Sequence, residues 1–325
     1  MNRSFKKTGR LAALLLFFLL SLTGCQSSTE PLQMNGMYFD TIVNIRIWGA
    51  EDDSVFKKCE ALCQHYENLF SRTIETSDVS RINQANGAPV TVDPETAQLI
   101  QIGLNYGTLS DGAFDITIAP LSILWNFGHN DGQIPSPAAV EDAKSHVNYQ
   151  NVKVTGNTVQ LLDKSAAIDL GALAKGYIAD QLKICLEEAG IEHGLISLGG
   201  NTLAIGEKPN GTPFKIGVQK PFAAQNEVLT SLDLMDQSVV SSGTYERYFK
   251  KDGTLYHHLL DPTTGYPYEN GLQQVTILSD QSVDGDALST TCFALGLEKG
   301  SRLIESLDGV RAIFVTEDGR MHSVG

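Results

Sequence analysis

The sequence is short of positive charge. It has 24 Lys and Arg against 38 Asp and Glu, a formal net charge of −14 at pH 7. Four of the basic residues precede residue 25, where no acidic residue occurs: Arg3, Lys6, Lys7 and Arg10. Residues 25–325 therefore carry 20 − 38 = −18. A body this acidic repels nucleic acid, so nucleic-acid binding is excluded, and it offers no electrostatic attraction to an anionic membrane.

The chain also lacks a hydrophobic run long enough to remain in a bilayer as a helix. The unbroken apolar run from Leu11 to Leu20 is too short for that. It follows the basic residues and precedes Leu22-Thr23-Gly24-Cys25, which predicts a secretory signal with a lipobox, cleaved before an acylated Cys25. An uncleaved anchor is the alternative. We expect a signal peptide over 1–24, a lipidated cysteine and polar tether over 25–36, and one catalytic unit over 37–325. The protein would then be anchored by lipid at the extracytoplasmic face of the membrane.

Cysteine is scarce, with four residues after Cys25. An even number in an oxidising compartment suggests disulfides. However, two of them belong to a stripe with helical spacing, and Cys185 and Cys292 lie in similar apolar patterns. That stripe is Phe56, Cys59, Cys63, Tyr66 and Phe70. The pattern favours buried free thiols, and a zinc site at Cys59 and Cys63 would lack two further ligands nearby.

Tandem repeats, low-complexity segments and long linkers are absent from the body. Alternation predicts a strand over 41–48, and helical periodicity follows over 54–70. Further helices are predicted over 94–109, over 173–188 and from residue 284. Tight turns, such as Gly156-Asn157 and Lys251-Asp252-Gly253, join too many short strands for a parallel, doubly wound sheet. The pattern therefore predicts an α+β fold with largely antiparallel sheets and packed helices.

No Walker loop and no dinucleotide-binding GxGxxG motif occurs in the chain. Instead, Asp169-Leu170-Gly171-Ala172-Leu173-Ala174-Lys175-Gly176-Tyr177 runs from a predicted strand through a glycine turn into a helix. Such a turn leaves backbone amides free for a ligand. Asp169 could hydrogen-bond a ligand hydroxyl or ring nitrogen, and Lys175 could neutralise a phosphate. An ordinary corner with a solvated lysine is the alternative.

A second candidate is the pair Asp286 and Thr290 near a helix start. Residues four apart face one side of a helix. A carboxylate and a hydroxyl together suit magnesium, which takes few protein oxygens and keeps positions for phosphate and water. A helix start in which Asp286 interacts favourably with the helix dipole is the alternative.

A third candidate is His257-His258-Leu259-Leu260-Asp261-Pro262-Thr263-Thr264-Gly265, a strand followed by a turn. His258 and Asp261 could perform acid–base chemistry at a sheet edge. A surface histidine and a turn-capping aspartate are the alternatives. Adjacent histidines on a strand point to opposite faces, so only one of the two can serve the site.

Three further segments are candidates for ligand contact. Ala113-Phe114-Asp115 places an aromatic ring beside a carboxylate, which could grip a flat ring or cap the core. Gly199-Gly200 and the segment 241–247 suggest backbone close to a ligand, or simply tight turns.

Taken in order, these segments resemble the FAD:protein FMN transferase family, also called ApbE. The resemblance extends from about Asp40 to Val315. The family's Asp-Leu-Gly…Lys-Gly-Tyr motif stands at 169–177, its His-x-x-Asp-Pro-x-Thr-Gly motif at 258–265, and its Asp-Ala-x-x-Thr motif at 286–290. The resemblance implies a single T-fold-related catalytic body.

The resemblance also implies magnesium-dependent transfer of FMN from FAD to a Thr or Ser hydroxyl of an acceptor protein, with release of AMP. The implied metal ligands are the main-chain oxygen of Ala172 and the side chains of Asp286 and Thr290. The implied FAD-binding positions are Phe39, Thr73, Ala113, Phe114, Asp115, Asp169, Lys175 and Leu260. At two of these the chain departs from the common family pattern: Phe39-Asp40-Thr41 replaces Met-Gly-Thr, and Thr73 replaces an aromatic residue.

On this hypothesis His258, oriented by Asp261, deprotonates the acceptor hydroxyl. The implied partners are FAD and membrane-associated flavin carriers of extracytoplasmic electron transfer. An FAD pyrophosphatase, with water in place of the acceptor, is one alternative. A lipid-anchored flavin-binding protein is another, although it leaves Asp286, Thr290 and His258 unexplained. The chain does not resemble an acceptor itself, because acceptor motifs have Asp-Gly-x-Thr or Ser and none of its Asp-Gly pairs continues in that way.

Overall fold

The computed structural model describes residues 30–129, 132–224 and 227–325. Residues 1–29, with the predicted signal peptide and Cys25, lie outside the described residues. The main feature is an eight-stranded antiparallel sheet in the order β1-β2-β6-β7-β10-β13-β14-β15. Its strands are β1 (Leu32–Tyr38), β2 (Thr41–Trp48), β6 (His193–Leu198), β7 (Asn201–Ile205), β10 (Ser238–Gly243), β13 (Leu272–Ser279), β14 (Arg311–Thr316) and β15 (Met321–Val324).

Three smaller antiparallel sheets surround the main one. They pair β3 (Val90–Thr91) and β4 (Val152–Thr155) with β5 (Thr158–Leu161), β8 (Phe214–Gln219) with β9 (Val228–Leu234), and β11 (Tyr248–Lys251) with β12 (Thr254–His257). The antiparallel pairing confirms the α+β fold that was predicted from the many tight turns.

Seven α-helices are described, and most of them pack against these sheets. They are α1 (Val55–Phe70), α2 (Asp78–Gln84), α3 (Pro94–Leu109), α4 (Ala119–Trp125), α5 (Pro137–Ser145), α6 (Ala174–Glu188) and α7 (Ser282–Glu305). The stripe predicted on α1 is buried. None of the described helices is long and apolar enough to cross a membrane.

Helices α6 and α7 are packed very closely. A Cβ on Gly176 would lie 2.3 Å from the carbonyl oxygen of Ser282, so only glycine fits there. The carboxylate of Asp180, one turn further along α6, accepts the amide N–H groups of Ser282 (2.8 Å) and Val283 (2.9 Å). Since those amides begin α7 and lack partners within the helix, this carboxylate joins the start of α7 to α6.

Two sequence predictions need correction. The predicted tether extends to residue 36, but β1 begins at Leu32 and pairs with β2 from Leu32↔Ile47 onward. A tether can therefore occupy no residue beyond about 31.

The cysteines after Cys25 are all free, and Cys59, Cys63 and Cys292 are buried as predicted, whereas Cys185 is partly exposed.

Candidate functional site

The start of α6 and the first turns of α7 bring two predicted site residues together. Asp286 is 3% exposed, and its Oδ2 accepts the Gly176 amide at 3.0 Å. Lys175 Nζ lies 3.5 Å from Asp286 Oδ1 and donates to the Gly171 carbonyl at 2.9 Å. Lys175 and Asp286 are 111 residues apart in sequence. The fold therefore brings the glycine turn before Lys175 and the carboxylate of Asp286 into one site.

Thr290 lies one turn beyond Asp286 and joins a row of hydroxyl groups. Its Oγ1 is 3.3 Å from Ser242 Oγ at the end of β10, and Ser242 Oγ is 2.8 Å from Ser289 Oγ. Ser289 in turn donates to the Asp286 carbonyl at 2.9 Å. This network fixes the α7 face that carries Asp286 and Thr290 against β10.

The oxygens at this site fit magnesium. They are the Asp286 carboxylate and the Thr290 hydroxyl, and Ala172 follows the Gly171 carbonyl that Lys175 contacts. Magnesium commonly binds proteins through one or two carboxylates and completes its octahedron with water and substrate phosphates. Among the residues that the structure describes, no group of three or more His, Cys, Asp or Glu side chains could hold a metal ion. The Asp286 carboxylate and the Thr290 hydroxyl are oxygen donors of the kind that a hard cation takes.

Asp169 precedes the glycine turn and is held by an arginine that the sequence analysis missed. Arg72 Nε lies 2.9 Å from Asp169 Oδ2, and Asp169 Oδ1 accepts the Gly171 amide at 2.8 Å. Thr73 is exposed next to Arg72, and its amide donates to Ser71 Oγ. Because Arg72 is about a hundred residues from its partner in sequence, no local pattern indicates the pair.

The segment Ala113-Phe114-Asp115 forms a wall beside Asp169, whose amide donates to the Ile116 carbonyl at 2.8 Å. The Ala113 carbonyl accepts the Tyr268 hydroxyl at 2.9 Å. Phe114 is 4% exposed and packs 6.0 Å from the Tyr106 ring. Its side chain belongs to the core and presents no free face to a flavin, so the structure does not support a ring contact there.

The Asp115 carboxylate accepts hydrogen bonds from groups of the neighbouring chain. Its Oδ1 accepts both the amide and the hydroxyl of Thr117, at 2.7 and 2.6 Å, and its Oδ2 accepts the Tyr149 amide at 2.8 Å. Burial raises the pKa of Asp115, and these hydrogen bonds oppose the rise. Asp115 therefore holds the segment 113–117 in place. Both of its carboxylate oxygens already have partners within the protein, so its side chain does not support the predicted FAD contact.

His258 lies just after β12, near Lys175 and Arg247. Its amide donates to the Arg247 carbonyl at 3.1 Å, and its ring Nδ1 is buried without a hydrogen-bond partner. Burial, together with the nearby His257, Arg247 and Lys175, lowers the pKa of His258 to about 3. The imidazole is therefore neutral at physiological pH, which is the form that accepts a proton.

Asp261 does not orient His258 as predicted. Its Oδ1 accepts the Thr263 amide at 2.7 Å, and its amide and carbonyl bond to Tyr266 and Gly265. Such bonding is typical of an aspartate that caps a turn. The neighbouring Leu260 is 6% exposed and belongs to a small apolar cluster with Trp125. The capping alternative is thus correct for Asp261, and Leu260 presents little side-chain surface to a ligand.

The β1–β2 turn lies against the turn between β6 and β7. Phe39 and Asp40 both have left-handed backbone angles, φ 55° and 54°, which explains why the family pattern has glycine where this chain has Asp40. Thr41, at the start of β2, touches the Gly199-Gly200 turn: a Cβ on Gly199 would lie 2.7 Å from Thr41 Oγ1. Gly199 and Gly200 form the two-residue turn between β6 and β7, as the tight-turn interpretation predicted.

Glu246 is a titratable group whose importance the sequence pattern did not indicate. Glu246 lies next to Gly200: if Gly200 carried a Cβ, that atom would be 3.7 Å from Glu246 Oε1. Although the residue as a whole is exposed, the protein around its carboxyl desolvates that group and raises its pKa to about 7. Asp286 adds to this rise, while Lys175 and Arg247 oppose it. Glu246 is therefore electrostatically part of the site.

Comparisons with known proteins point to the family that the sequence motifs resemble. The ApbE family model matches residues 39–314. An FAD:protein FMN transferase of Klebsiella pneumoniae is 39% identical over 272 residues, 83% of this chain and 84% of the relative. One of Treponema pallidum is 32% identical over 303 residues, 87% of this chain and 84% of the relative.

Solved structures give the same result. The ApbE protein of Thermotoga maritima superposes with a TM-score of 0.82 at 32% identity, covering 91% of this chain and 97% of its own. The apo flavinyl transferase ApbE of Pseudomonas stutzeri superposes with a TM-score of 0.80 at 28% identity, covering 91% and 95%. The chain belongs to the ApbE family.

Proposed function

We propose that this protein transfers FMN from FAD to a threonine or serine hydroxyl of an acceptor protein and releases AMP. The acceptor oxygen forms a bond to the phosphorus of the FMN half, the bond from that phosphorus to the AMP oxygen breaks, and the hydroxyl proton leaves to a base. One observation carries the proposal: Lys175 of α6 lies 3.5 Å from the buried Asp286 of α7, and the neutral His258 lies near Lys175. The FMN transferase names of the relatives support it.

The residues of the chain supply charge and position. Lys175 projects from the first turn of α6 and offers a cation to phosphate oxygens. Asp169, held by Arg72, offers an acceptor to a flavin or sugar group beside the glycine turn. His258, neutral because it is buried, can take the acceptor proton through a ring nitrogen. Phosphoryl transfer depends mainly on positioning and charge stabilisation, which these groups provide.

Magnesium would be held by Asp286, Thr290 and the Ala172 carbonyl, and when bound it would neutralise charge on the diphosphate. The buried carboxylate supports this assignment. Asp286 Oδ1 has only the 3.5 Å contact with Lys175 among the described residues, so it retains lone pairs for a further partner.

The decisive experiment incubates the protein with FAD, magnesium and a soluble flavin carrier that has an Asp-Gly-x-Thr segment. Intact-mass analysis of the carrier is the measurement. A covalent FMN adduct together with AMP supports the transferase. AMP and free FMN without an adduct would instead identify a pyrophosphatase, and FAD binding without AMP would identify a flavin-binding protein.

We also propose that lipid on Cys25 holds the enzyme at the extracytoplasmic face, near membrane-associated flavin carriers. The lipobox-like sequence before Cys25 supports this. A Cys25→Ser protein should leave the membrane fraction, and the purified variant should transfer FMN as well as wild type does. The partly exposed Cys185 provides the control, because Cys185→Ser should remain with the membrane. A Cys25→Ser protein that stays in the membrane would refute lipid anchoring.

A further inference from the structure

An exposed aromatic patch lies close in the chain to the site of Asp286 and Thr290 and is not explained by FAD chemistry. It consists of Phe222, Tyr245, Tyr248 and Lys250. The Phe222 ring lies 5.2 Å from Tyr248 and 6.1 Å from Tyr245, both edge-on, and Lys250 Nζ lies 5.6 Å from the Phe222 centroid. Phe222 is 38% and Tyr248 42% exposed. Exposed aromatic residues grouped with a cation are typical of protein-binding surfaces.

The patch is continuous with the proposed site through the chain that follows β10. Ser242 Oγ contacts Thr290 Oγ1, and Tyr245 stands three residues further along the chain. The Tyr245 ring packs on that same strand end, since a Cβ on Gly243 would lie 2.3 Å from it. The next residue, Glu246, reaches Gly200, and Arg247 bonds to the His258 amide. A polypeptide lying on the patch would thus reach the proposed site directly.

The fold holds the patch rigidly from behind. Alternate residues of β11 face opposite sides. Phe249 stacks on Tyr256 at 5.1 Å and on Phe127 at 5.6 Å, and Tyr256 stacks on Trp125 at 5.7 Å. Tyr248 and Lys250 therefore face outward from a hairpin whose other face is packed. A preformed surface of this kind loses little conformational entropy when it binds.

The charge of the patch selects its partner. Arg247, Lys250 and Lys251 are all exposed within one short stretch of a chain that is otherwise strongly acidic. Exposed Glu246 and Asp252 lie at its two ends. The net charge of this stretch is opposite in sign to that of the whole chain. Complementary charge steers partners and fixes their register.

We propose that the aromatic patch docks the acceptor protein through an extended, acidic segment next to the threonine or serine that receives FMN. This inference rests on the proposed function and deepens it. The aromatic rings supply contact area, and Lys250 and its basic neighbours supply attraction for acidic side chains. The hydroxyl of the docked segment then faces His258 and Lys175.

Steady-state kinetics on the full chain tests the proposal, with the Asp-Gly-x-Thr carrier as the varied substrate. Tyr248→Ala and Lys250→Glu should each raise the KM for the carrier about tenfold, the effect of losing one interface hot spot. The kcat at saturating carrier and the Kd for FAD should stay unchanged, because neither side chain belongs to the proposed catalytic site. Exposed residues elsewhere provide controls: Met321→Ala and Lys299→Glu should change nothing.

A charge swap makes the test specific. A carrier whose acidic residues near the acceptor threonine are replaced by lysine should bind wild type poorly and should regain affinity for Lys250→Glu. Unchanged KM in both patch variants, with wild-type transfer intact, would overturn docking while leaving the transferase assignment standing. Loss of a dimer in Tyr248→Ala at unchanged KM would instead assign the patch to a second copy of the chain. A wild-type protein that forms no adduct would overturn both proposals.

Discussion

At the scale of single residues, Asp286 provides the sharpest test of the metal assignment. An Asp286→Asn side chain keeps an oxygen for the Gly176 amide, so the fold should survive, but it loses the charge that magnesium requires. We expect FMN transfer to fall about 100-fold or more, as on removal of a group that stabilises transition-state charge, while the thermal midpoint changes little. Exposed Asp233, paired with Lys215, is the control, and Asp233→Asn should retain activity. Magnesium-dependent transfer at the wild-type rate in Asp286→Asn would exclude Asp286 as a ligand.

His258 tests the base assignment independently of the metal. A His258→Gln protein cannot accept the proton, so kcat should fall about 100-fold or more, the usual contribution of a general base. The Kd for FAD, measured by flavin fluorescence, should stay unchanged. The exposed His322 on β15 is the control, and His322→Gln should transfer normally. If kcat of His258→Gln stays within about twofold of wild type, the base is another group or solvent.

At the scale of elements, the α6–α7 contact determines whether the site assembles. A Cβ at position 176 would lie 2.3 Å from a backbone oxygen of α7, which cannot move away as a side chain can. Gly176→Ala should therefore separate the helices, cost about 1–3 kcal/mol of unfolding free energy as overpacking does, and displace Asp286 from the Gly176 amide. We expect transfer to fall together with the denaturation midpoint. Gly128→Ala, which meets nothing within 4 Å, is the control. Full stability and activity in Gly176→Ala would contradict this close contact.

The same elements show what periodicity can predict. The buried stripe of α1 and the β4–β5 hairpin were correct because each has its own pattern of apolar residues and turns. Strand β1 was missed because it lies at the edge of the sheet, where Met34 is its only fully buried residue, so its sequence resembles a polar tether. The break in α7 at Gly296, φ 75°, was also missed, since a glycine inside a helical pattern does not by itself indicate a kink.

At the scale of the whole molecule, the site was predictable where its residues lie in short motifs. Lys175 and Asp286 were selected from separate segments, and the fold brings them together. Arg72 was not predictable, because its pairing with Asp169 depends on long-range packing. Asp261 was assigned the wrong role, since a turn cap and a catalytic carboxylate have the same local sequence. Burial likewise separates Phe114, a core residue, from a ring that could stack on flavin.

The stability of the whole molecule should depend on pH through His257, which is 4% exposed. Its Nε2 lies 3.1 Å from the Tyr268 carbonyl, its Nδ1 is buried without a partner, and burial lowers its pKa to about 4. In the unfolded chain its pKa is about 6.5. Between these values the unfolded state binds a proton that the folded state does not, so stability is full above about pH 6.5 and falls as the pH decreases.

At pH 5 this histidine should cost about 2 kcal/mol relative to pH 7.5. His258, whose pKa is lowered to about 3, acts in the same direction, whereas Glu246, whose pKa is raised to about 7, stabilises the fold as the pH decreases towards 4.5. Only a comparison of variants can therefore isolate the contribution of His257. Urea denaturation of His257→Gln should show lower stability than wild type at pH 7.5 but a smaller loss between pH 7.5 and pH 5, while His322→Gln should keep the wild-type slope. Parallel curves for His257→Gln and wild type would mean that folding does not lower the pKa of His257, because a histidine that titrates alike in both states contributes no pH dependence.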